Sequence, residues 1–459
     1  MSPDMLPLFF ERGGSEMRRA LTALIALCFL IPLPAASAKE KVTLTIMWAD
    51  WEPAHLLLKL AEEFTKETGI EVRGNFVPWP QYHDKMFVEF ASRKTSFDIC
   101  LPDSQWIGEA VEGGHLLELT DWIKEKVDLN NYPEMVIKSY SEYPDGSGRY
   151  YGVPGLLDFV LFAYRKDLFE DPKEKEEFKK RYGYELKVPE TWEQLRDIAE
   201  FFTRPEQNLY GIAMWQAPLA TAGLVDEFLG LFWSKGGRLW SGYEDKKVVG
   251  YLNDEAGYEA AKLWVELYKF HPPGAANYSV DEVLTAMQQG LVAMAAIYAA
   301  FYPALTDPKK SRYADKIGFF MSPAAVDPSG KKHHYVQLGG QGMSISAYTP
   351  HKEEALKFLE WWIREETQWK FAEAGQITPD KRVVYDDRFL KLAPINEVVR
   401  KSLPLLRDFW EIPEYNEMAE YMSRKLNQAC LGQITPKEAM DDIARRHEEI
   451  LRAAGYYGR

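Results

Sequence analysis

The sequence lacks features that mark several classes of protein. Asp and Glu contribute 69 residues against 55 from Lys and Arg, and no segment is rich in basic side chains. Nucleic-acid binding depends on positive charge, so DNA and RNA are disfavoured as partners. The apolar run from Ala20 to Ile31 is well below the roughly 18 residues that a membrane-spanning helix needs, and no other segment is long and apolar enough. The mature chain is therefore expected to work outside a bilayer.

Motifs of common enzyme and cofactor sites are also absent. There is no Gly-x-Ser-x-Gly elbow and no His-Glu-x-x-His helix. The glycine-rich stretch 339–342 lacks the Lys-Ser/Thr of a phosphate loop and does not match a dinucleotide fingerprint. His333 and His334 are adjacent, and adjacent side chains of an extended chain point in opposite directions, which disfavours a shared metal. We expect no catalytic residue, no cofactor and no metal.

Aromatic side chains, in contrast, are abundant, with 14 Trp, 25 Tyr and 24 Phe among 459 residues. A chain of this length is too long for one ordinary core, and its hydrophobic fraction of 46% is typical of globular proteins. Two folded lobes are therefore expected. Composition leaves open whether the aromatic side chains fill cores or hold a ligand.

The amino terminus has the parts of a secretory signal. A basic start at 17–19 precedes the apolar run, and the small residues 36–38 form an A-x-A cleavage site. Residues 1–38 are therefore predicted to be a signal peptide, cleaved after Ala38, with Met17 as the true start. The mature protein is expected in the periplasm.

The three cysteines add two expectations. Cys28 follows Leu27, where a lipoprotein cleavage site needs a small residue, so a lipid anchor is disfavoured. Processing would leave Cys100 and Cys430 in an oxidising compartment, where a disulfide is permitted. Their separation in sequence allows either a disulfide or two free thiols.

Strands alternate with helices along the first part of the mature chain. Strands are predicted at 42–48, 70–76 and 97–101, separated by a helix that ends at Gly69 and a helix at 81–92. This alternation predicts an α/β lobe with a largely parallel sheet, in which ligands bind at the carboxyl ends of the strands. Three loops at those ends are rich in aromatic and acidic residues: 48–51, 78–82 and 103–106.

The second part of the chain repeats the α/β pattern. Two strands, 150–154 and 160–164, are predicted to be joined across Gly155. Further strands are predicted at 210–215, 291–298, 317–321 and 342–347. Helices are predicted at 166–182, from Thr191, at 218–233, 255–270 and 280–289, and in a tail that ends at Ala454. With no low-complexity linker, short crossing strands should join the lobes.

Several segments together resemble a known family. They are 44–48 (LTIMW), 64–72 (FTKETGIEV), 97–100 (FDIC), 151–154 (YGVP), 162–169 (FAYRKDLF), 189–195 (PETWEQL), 286–294 (AMQQGLVAM), 339–342 (GGQG) and 353–361 (EEALKFLEW). In this order, over about 39 to 375, the chain resembles the extracellular solute-binding proteins of sugar-type ABC importers, the maltose-binding-protein-like group.

The resemblance implies an architecture and partners. It implies two α/β lobes joined by crossing hinge strands, with a sugar or polyol in the cleft and delivery to permease subunits in the inner membrane. The N-lobe would comprise 39–155, completed by about 322–375. The C-lobe would comprise 156–321, completed by the helical tail at about 376–459. A monomer is expected.

The resemblance also implies ligand-binding residues, carried over by position. They are Asp50, Trp51, Asp103, Asp158, Tyr298, Phe301, Gly340 and Gln341. These residue types suit a sugar, because carboxylates accept hydrogen bonds from hydroxyl groups and aromatic faces cover C–H patches.

Further candidates come from the loops and strand ends themselves. They are Trp79, Tyr82, Trp106 and Trp215. Two prolines are expected to hold the 78–82 loop out of regular structure.

Each candidate has a structural alternative. Asp103 is placed to cap the helix that starts near Gln105. Asp158 is placed to form a salt bridge at the hinge. The aromatic residues are placed to pack in a core. Other tryptophans lie at helical spacing and are assigned to cores: Trp233, Trp240, Trp264, Trp361, Trp362 and Trp369.

Three functions remain open from the sequence. The first is a binding protein for a carbohydrate or polyol that closes on its ligand. The second is a secreted glycoside hydrolase with a carboxylate pair such as Asp103 and Asp158. The third is a binding protein for a cationic solute such as a polyamine, held by aromatic faces and carboxylates.

Overall fold

The computed structural model describes residues 41–220 and 223–457. The predicted signal peptide and Cys28 lie outside the described residues. Within the described ranges, no helix is both long and apolar enough to cross a membrane. Cys100 is buried and Cys430 is partly buried, and both thiols are free.

The described residues form eleven β-strands. In chain order they are β1 (Thr43–Ala49), β2 (Glu71–Val77), β3 (Ile99–Cys100), β4 (Gly152–Arg165), β5 (Tyr210–Ala213), β6 (Val292–Tyr298), β7 (Ile317–Met321), β8 (Ala325–Val326), β9 (Lys332–His333), β10 (Val336–Ile345) and β11 (Leu406–Arg407).

Helices connect and cover these strands. The α-helices are α1 (Glu52–Thr68), α2 (Trp79–Ala91), α3 (Ile107–Glu112), α4 (Thr120–Lys126), α5 (Glu134–Tyr140), α6 (Lys166–Glu170), α7 (Pro172–Tyr182), α8 (Trp192–Phe202), α9 (Leu224–Ser234), α10 (Glu255–Tyr268), α11 (Val280–Gln288), α12 (Tyr302–Thr306), α13 (Lys352–Trp362), α14 (Glu365–Glu373), α15 (Lys381–Val384), α16 (Asn396–Ser402), α17 (Tyr415–Cys430) and α18 (Pro436–Ala453).

One nine-stranded sheet organises the fold. Its order is β2-β1-β3-β10-β4-β6-β5, with β11 paired to β10 and β7 paired to β4. The strands β1, β2 and β3 are parallel, whereas β10 runs antiparallel to β3 and β4. The predicted alternation of strands and helices, with a parallel first part, is confirmed.

The long strand β4 connects the two parts of this sheet. Its first part, 152–159, pairs with β10, and its second part, 160–165, pairs with β6 and β7. The prediction of two strands joined across Gly155 is therefore wrong. Gly155 lies inside one extended strand, where a Cβ atom would lie 2.7 Å from the Gln341 carbonyl oxygen of β10. The glycine allows a close approach of backbones rather than a turn.

Local signals explain how α1 and α8 begin and end. In α1, Leu57, Ala61 and Phe64 form the buried face, and Gly69 ends the helix with a φ of 75°. In α8, Thr191 caps the helix through a capping box with Gln194. Both predictions are confirmed.

The helix α2 begins earlier than predicted. Trp79 and Pro80 form its first turn, so the interpretation of 78–82 as a loop held out of regular structure is wrong. Proline suits the first turn of a helix, since an N–H group there has no intrahelical acceptor.

Three other boundaries also differ. The stretch predicted as one helix at 166–182 is divided into α6 and α7, because Asp171 caps a new helix that begins at Pro172. The helix predicted at 218–233 begins only at Leu224. The strand predicted to begin at 342 begins at Val336.

The helical tail packs on the second part of the chain. The helices α17 and α18 pack against each other and against α9 and α10, whereas α14 packs against α1. The predicted boundary between 155 and 156 falls inside β4, and the lobe boundaries stay a prediction. Trp233, Trp264 and Trp362 are fully buried, as expected of core residues.

Candidate functional site

A cavity of about 440 Å³ lies where the crossing strands β4 and β10 meet the ends of neighbouring strands. Its walls include residues at or shortly after the carboxyl ends of β1, β3, β5 and β6, parts of β4 and β10, and the first turns of α2, α9 and α11. The position at strand ends agrees with the expectation for α/β sheets. The predicted site residues that line the cavity are Asp50, Trp51, Trp79, Asp103, Asp158, Trp215, Tyr298, Phe301, Gly340 and Gln341.

Tyr82 and Trp106 are not among the lining residues. Both pack behind Trp79, with ring centroids 6.1 Å and 5.6 Å from its own. The Tyr82 hydroxyl lies 3.1 Å from the Met47 carbonyl oxygen and 2.8 Å from that of Leu101. These two side chains thus support the wall of the cavity.

Asp103 has the capping role considered for it and also lines the cavity. Its Oδ1 atom accepts a hydrogen bond of 2.9 Å from Ser104 N and caps the 3-10 helix Ser104–Trp106. Its Oδ2 atom accepts one of 3.0 Å from Gln341 Nε2 on β10. Burial raises the pKa of Asp103 well above its ordinary value, although the hydrogen bond from Gln341 acts in the opposite direction.

Asp158 joins the crossing strand to the aromatic wall. Its Oδ1 atom accepts hydrogen bonds of 2.9 Å from Phe159 N and from Ala300 N. Ala300 lies in the 3-10 helix Ala299–Phe301, which places Phe301 at the cavity. The partners of this carboxylate are therefore backbone N–H groups rather than the basic side chain of a hinge salt bridge. Burial raises the pKa of Asp158 to about 7.

Asp226 belongs to a buried hydrogen-bond network with Tyr298. Its Oδ2 atom accepts a 2.7 Å hydrogen bond from Gly223 N, and its Oδ1 atom lies 3.2 Å from the Tyr298 hydroxyl. That hydroxyl is also 2.8 Å from Gln337 Oε1. The Trp215 ring packs on Tyr298 with centroids 5.3 Å apart. Burial raises the pKa of Asp226 to about 7.

Aromatic rings from both parts of the sheet meet at the cavity. Trp51 follows β1, and its ring centroid is 6.2 Å from that of Trp79 and 6.4 Å from that of Phe301, which follows β6. The indole Nε1 atoms of Trp51 and Trp215 are buried without a partner among the described residues. Aromatic side chains from both parts of the sheet therefore line the cavity.

Asp50 lies at the rim of the cavity. Its side chain is 50% exposed, and its Oδ1 atom is 2.9 Å from His55 Nε2 on α1. Of the predicted carboxylates, it is thus more accessible to water than Asp103 and Asp158, which are buried.

Several lining residues were not identified from the sequence. They are Ala49, Pro80, Gln105, Leu219, Ala220, Asp226, Ser279, Val280, Asp281 and Gly339. Ala49, Pro80, Gln105 and Gly339 are next to predicted residues, and this adjacency was a usable signal. Asp226 falls inside the helix predicted at 218–233, in which no candidate residue was identified.

The cavity has acidic lining residues without basic ones. Among the described residues, its lining includes the carboxylates of Asp50, Asp103, Asp158, Asp226 and Asp281, and no Lys or Arg. Within the same ranges, no group of three or more His, Cys, Asp or Glu is arranged to hold a metal ion. The site thus combines hydrogen-bond acceptors with aromatic faces.

The sequence has relatives among known proteins. The profile of the family described as bacterial extracellular solute-binding protein matches residues 51–369. A probable amino-acid ABC transporter periplasmic-binding protein of Sinorhizobium fredii is 22% identical over 408 residues, covering 86% of this chain and 86% of that protein. A mannitol-binding protein of Pseudomonas aeruginosa is 25% identical over 339 residues, covering 67% of this chain and 71% of that protein.

The fold also has counterparts among solved structures. An ABC transporter solute-binding protein of Agrobacterium radiobacter K84, in complex with ribitol, matches with a TM-score of 0.74 at 24% identity. The match covers 89% of this chain and 98% of that chain. This likeness confirms the predicted two-lobed α/β fold. The family profile matches residues 51–369, which are well over half of this chain. The chain therefore belongs to the bacterial extracellular solute-binding proteins.

Proposed function

We propose that this protein is the substrate-binding component of an ABC importer that captures a carbohydrate or polyol and delivers it to permease subunits in the inner membrane. The observation that carries the proposal is a cavity, at the crossing strands, lined by both carboxylates and aromatic rings. Carboxylates accept hydrogen bonds from hydroxyl groups, and aromatic faces cover C–H surface. The mannitol-binding relative and the ribitol complex support this ligand class.

Closure of the two lobes would bury the ligand. The proposed lobes are 39–155 with 322–375, and 156–321 with 376–459, so that β4 and β10 act as hinge strands. A ligand drives closure only if it contacts both lobes in the closed state. Asp103 from one lobe and Trp215 from the other meet this requirement. The protein would act as a monomer in the periplasm.

Two other functions find less support. A hydrolase is disfavoured because the chain belongs to a family of binding proteins, and absence of turnover with glycosides would test this. The Sinorhizobium relative is named for amino acids, whose carboxylate needs a cationic partner. The described lining residues include no Lys or Arg, so an amino acid suits this cavity poorly.

Trp215→Ala and Asp103→Ala are each expected to weaken ligand binding by about 10- to 100-fold, because a buried aromatic wall or a hydrogen-bond acceptor is lost. Mass spectrometry of copurified small molecules would guide the choice of ligand. Calorimetry against monosaccharides, oligosaccharides and polyols would then measure the affinities.

The matched control for these variants is Tyr385→Ala. Tyr385 is 49% exposed and does not line the cavity, so its removal should leave the affinity at the wild-type value. Thermal unfolding of each variant would show that it is folded. Wild-type affinity in both Trp215→Ala and Asp103→Ala would refute the proposed site.

A further inference from the structure

We propose that the preferred solute is a polyhydroxylated molecule that carries a protonated amine, as an amino sugar or an amino polyol does, and that Asp226 binds the amine. This inference rests on the proposed function and narrows its substrate class. It follows from the charge of the cavity, the partners of its carboxylates and the position of its aromatic rings.

The charge of the cavity is unbalanced. Asp103, Asp158 and Asp226 are only 5%, 4% and 3% exposed, and the described lining has no basic side chain. A buried carboxylate is unfavourable in its ionised form unless an opposite charge is close. A neutral polyol supplies hydroxyl groups but no charge. An ammonium group supplies both hydrogen-bond donors and the missing positive charge.

The partners of these carboxylates are neutral donors. Asp103 receives hydrogen bonds from the Ser104 backbone and the Gln341 amide, which suit a carboxylate that binds ligand hydroxyl groups. Asp226 receives one from Gly223 N and lies beside the Tyr298 hydroxyl. None of these groups carries a positive charge, so burial favours the protonated carboxyl groups in the absence of ligand. An ammonium group of the ligand would supply the balancing charge in place of that proton.

Aromatic rings place the amine near Asp226. Tyr298 contacts Asp226, and the Trp215 ring packs 5.3 Å from the Tyr298 ring. Aromatic faces attract cations, most strongly where water is excluded. Asp226 is a buried carboxylate beside the hydroxyl group of Tyr298, and the Tyr298 and Trp215 rings both line the cavity. This combination distinguishes Asp226 from the exposed Asp50.

The test compares matched ligands that differ by one amine in place of one hydroxyl group. The pairs are D-glucamine with D-glucitol, and D-glucosamine with D-glucose, measured by calorimetry at pH 7.5. In at least one pair the amine is expected to bind about tenfold more tightly, and added salt should reduce that preference. Equal or tighter binding of the neutral member in every pair that binds would overturn the inference while leaving the proposed function intact.

Two further outcomes separate the inference from the proposed function. Binding of putrescine without binding of any polyhydroxylated compound would overturn both, because the cavity would then be a polyamine site. Binding of none of these compounds, nor of any member of the wider sugar and polyol panel, would also overturn both.

The variant Asp226→Asn tests the residue. It is expected to reduce the ratio of the affinity for the amine ligand to the affinity for its neutral counterpart about tenfold, because the amide keeps the shape of the side chain but not its charge. The control Asp315→Asn removes an exposed charge outside the cavity and should leave the ratio unchanged. If Asp226→Asn does not fold, Asp226→Ser serves as the second variant, because it removes the charge of the same side chain. An unchanged ratio in the folded variant would overturn the assignment.

Discussion

Replacing Gly340 by Ala is expected to reduce the free energy of unfolding by about 2 to 5 kcal/mol, the sum of a strained backbone and an overpacked strand pair. Gly340 has a φ of +94°, which side chains other than hydrogen rarely allow. A Cβ atom there would overlap the Leu156 carbonyl oxygen and the Tyr140 hydroxyl, and would lie 2.8 Å from Asp158 N. The strands β4 and β10 would have to separate, and we expect ligand affinity to fall as well. Urea unfolding measures the stability.

The matched control for this substitution is Gly330→Ala. Gly330 lies in the turn between β8 and β9 and has a similar φ of +88°. A Cβ atom there would have no atom within 4 Å among the described residues beyond its chain neighbours. Its replacement should therefore reduce stability by only about 1 kcal/mol. Equal losses in the two variants would contradict the claim that close approach of β4 and β10 dominates at Gly340.

Raising the pH from 4 to 8 is expected to destabilise the wild-type protein relative to Asp226→Asn, by up to about 4 kcal/mol. Burial raises the pKa of Asp226 from 3.8 to about 7. The stability that this group contributes is fully present below pH 3.8 and is lost as the pH rises through about 7, because the buried carboxyl group must then ionise. The neutral amide of Asn has no such step. Urea unfolding of both proteins, without ligand, at several pH values measures the difference.

A variant whose stability relative to the wild type should change with pH in the opposite direction provides the control. Hydrogen bonds from Ser329 and His333 lower the pKa of Asp327, so its contribution is present above pH 3.8 and is lost as the pH falls. Asp327→Asn should therefore lose stability relative to the wild type as the pH rises to about 4, and the difference should stay constant from pH 4 to 8. Parallel stability profiles of Asp226→Asn and the wild type would contradict the assigned titration of Asp226.

Many parts of the fold could be predicted because their signals are local. The buried face of α1 repeats at helical spacing, and Gly69 and Thr191 end or cap their helices through contacts within a few residues. The candidate site was found largely because carboxylates and aromatic residues follow predicted strands, as at Asp103 and Trp215. Such patterns need no knowledge of distant segments.

Other features could not be predicted, because their reasons lie in distant parts of the chain. Gly155 was interpreted as a break, since its neighbour on β10 is remote in sequence. Trp79 and Tyr82 belong to one helix turn, yet only Trp79 lines the cavity, because packing against the sheet directs Tyr82 inwards. Asp226 lies in a helix of mostly apolar residues, and its burial beside Tyr298 depends on segments remote in sequence.

The amino-acid sequence alone established the α/β class, the family resemblance and the strand-end loops that carry the candidate residues, because these depend on short-range periodicity and motif order. Only the tertiary structure decided which side chains form the cavity and what charge it holds. The pairs that build it, Asp103 with Gln341 and Asp158 with Ala300, are 238 and 142 residues apart. Burial and pKa values depend on such long-range contacts, since the surrounding dielectric and hydrogen-bond partners come from segments that folding brings together.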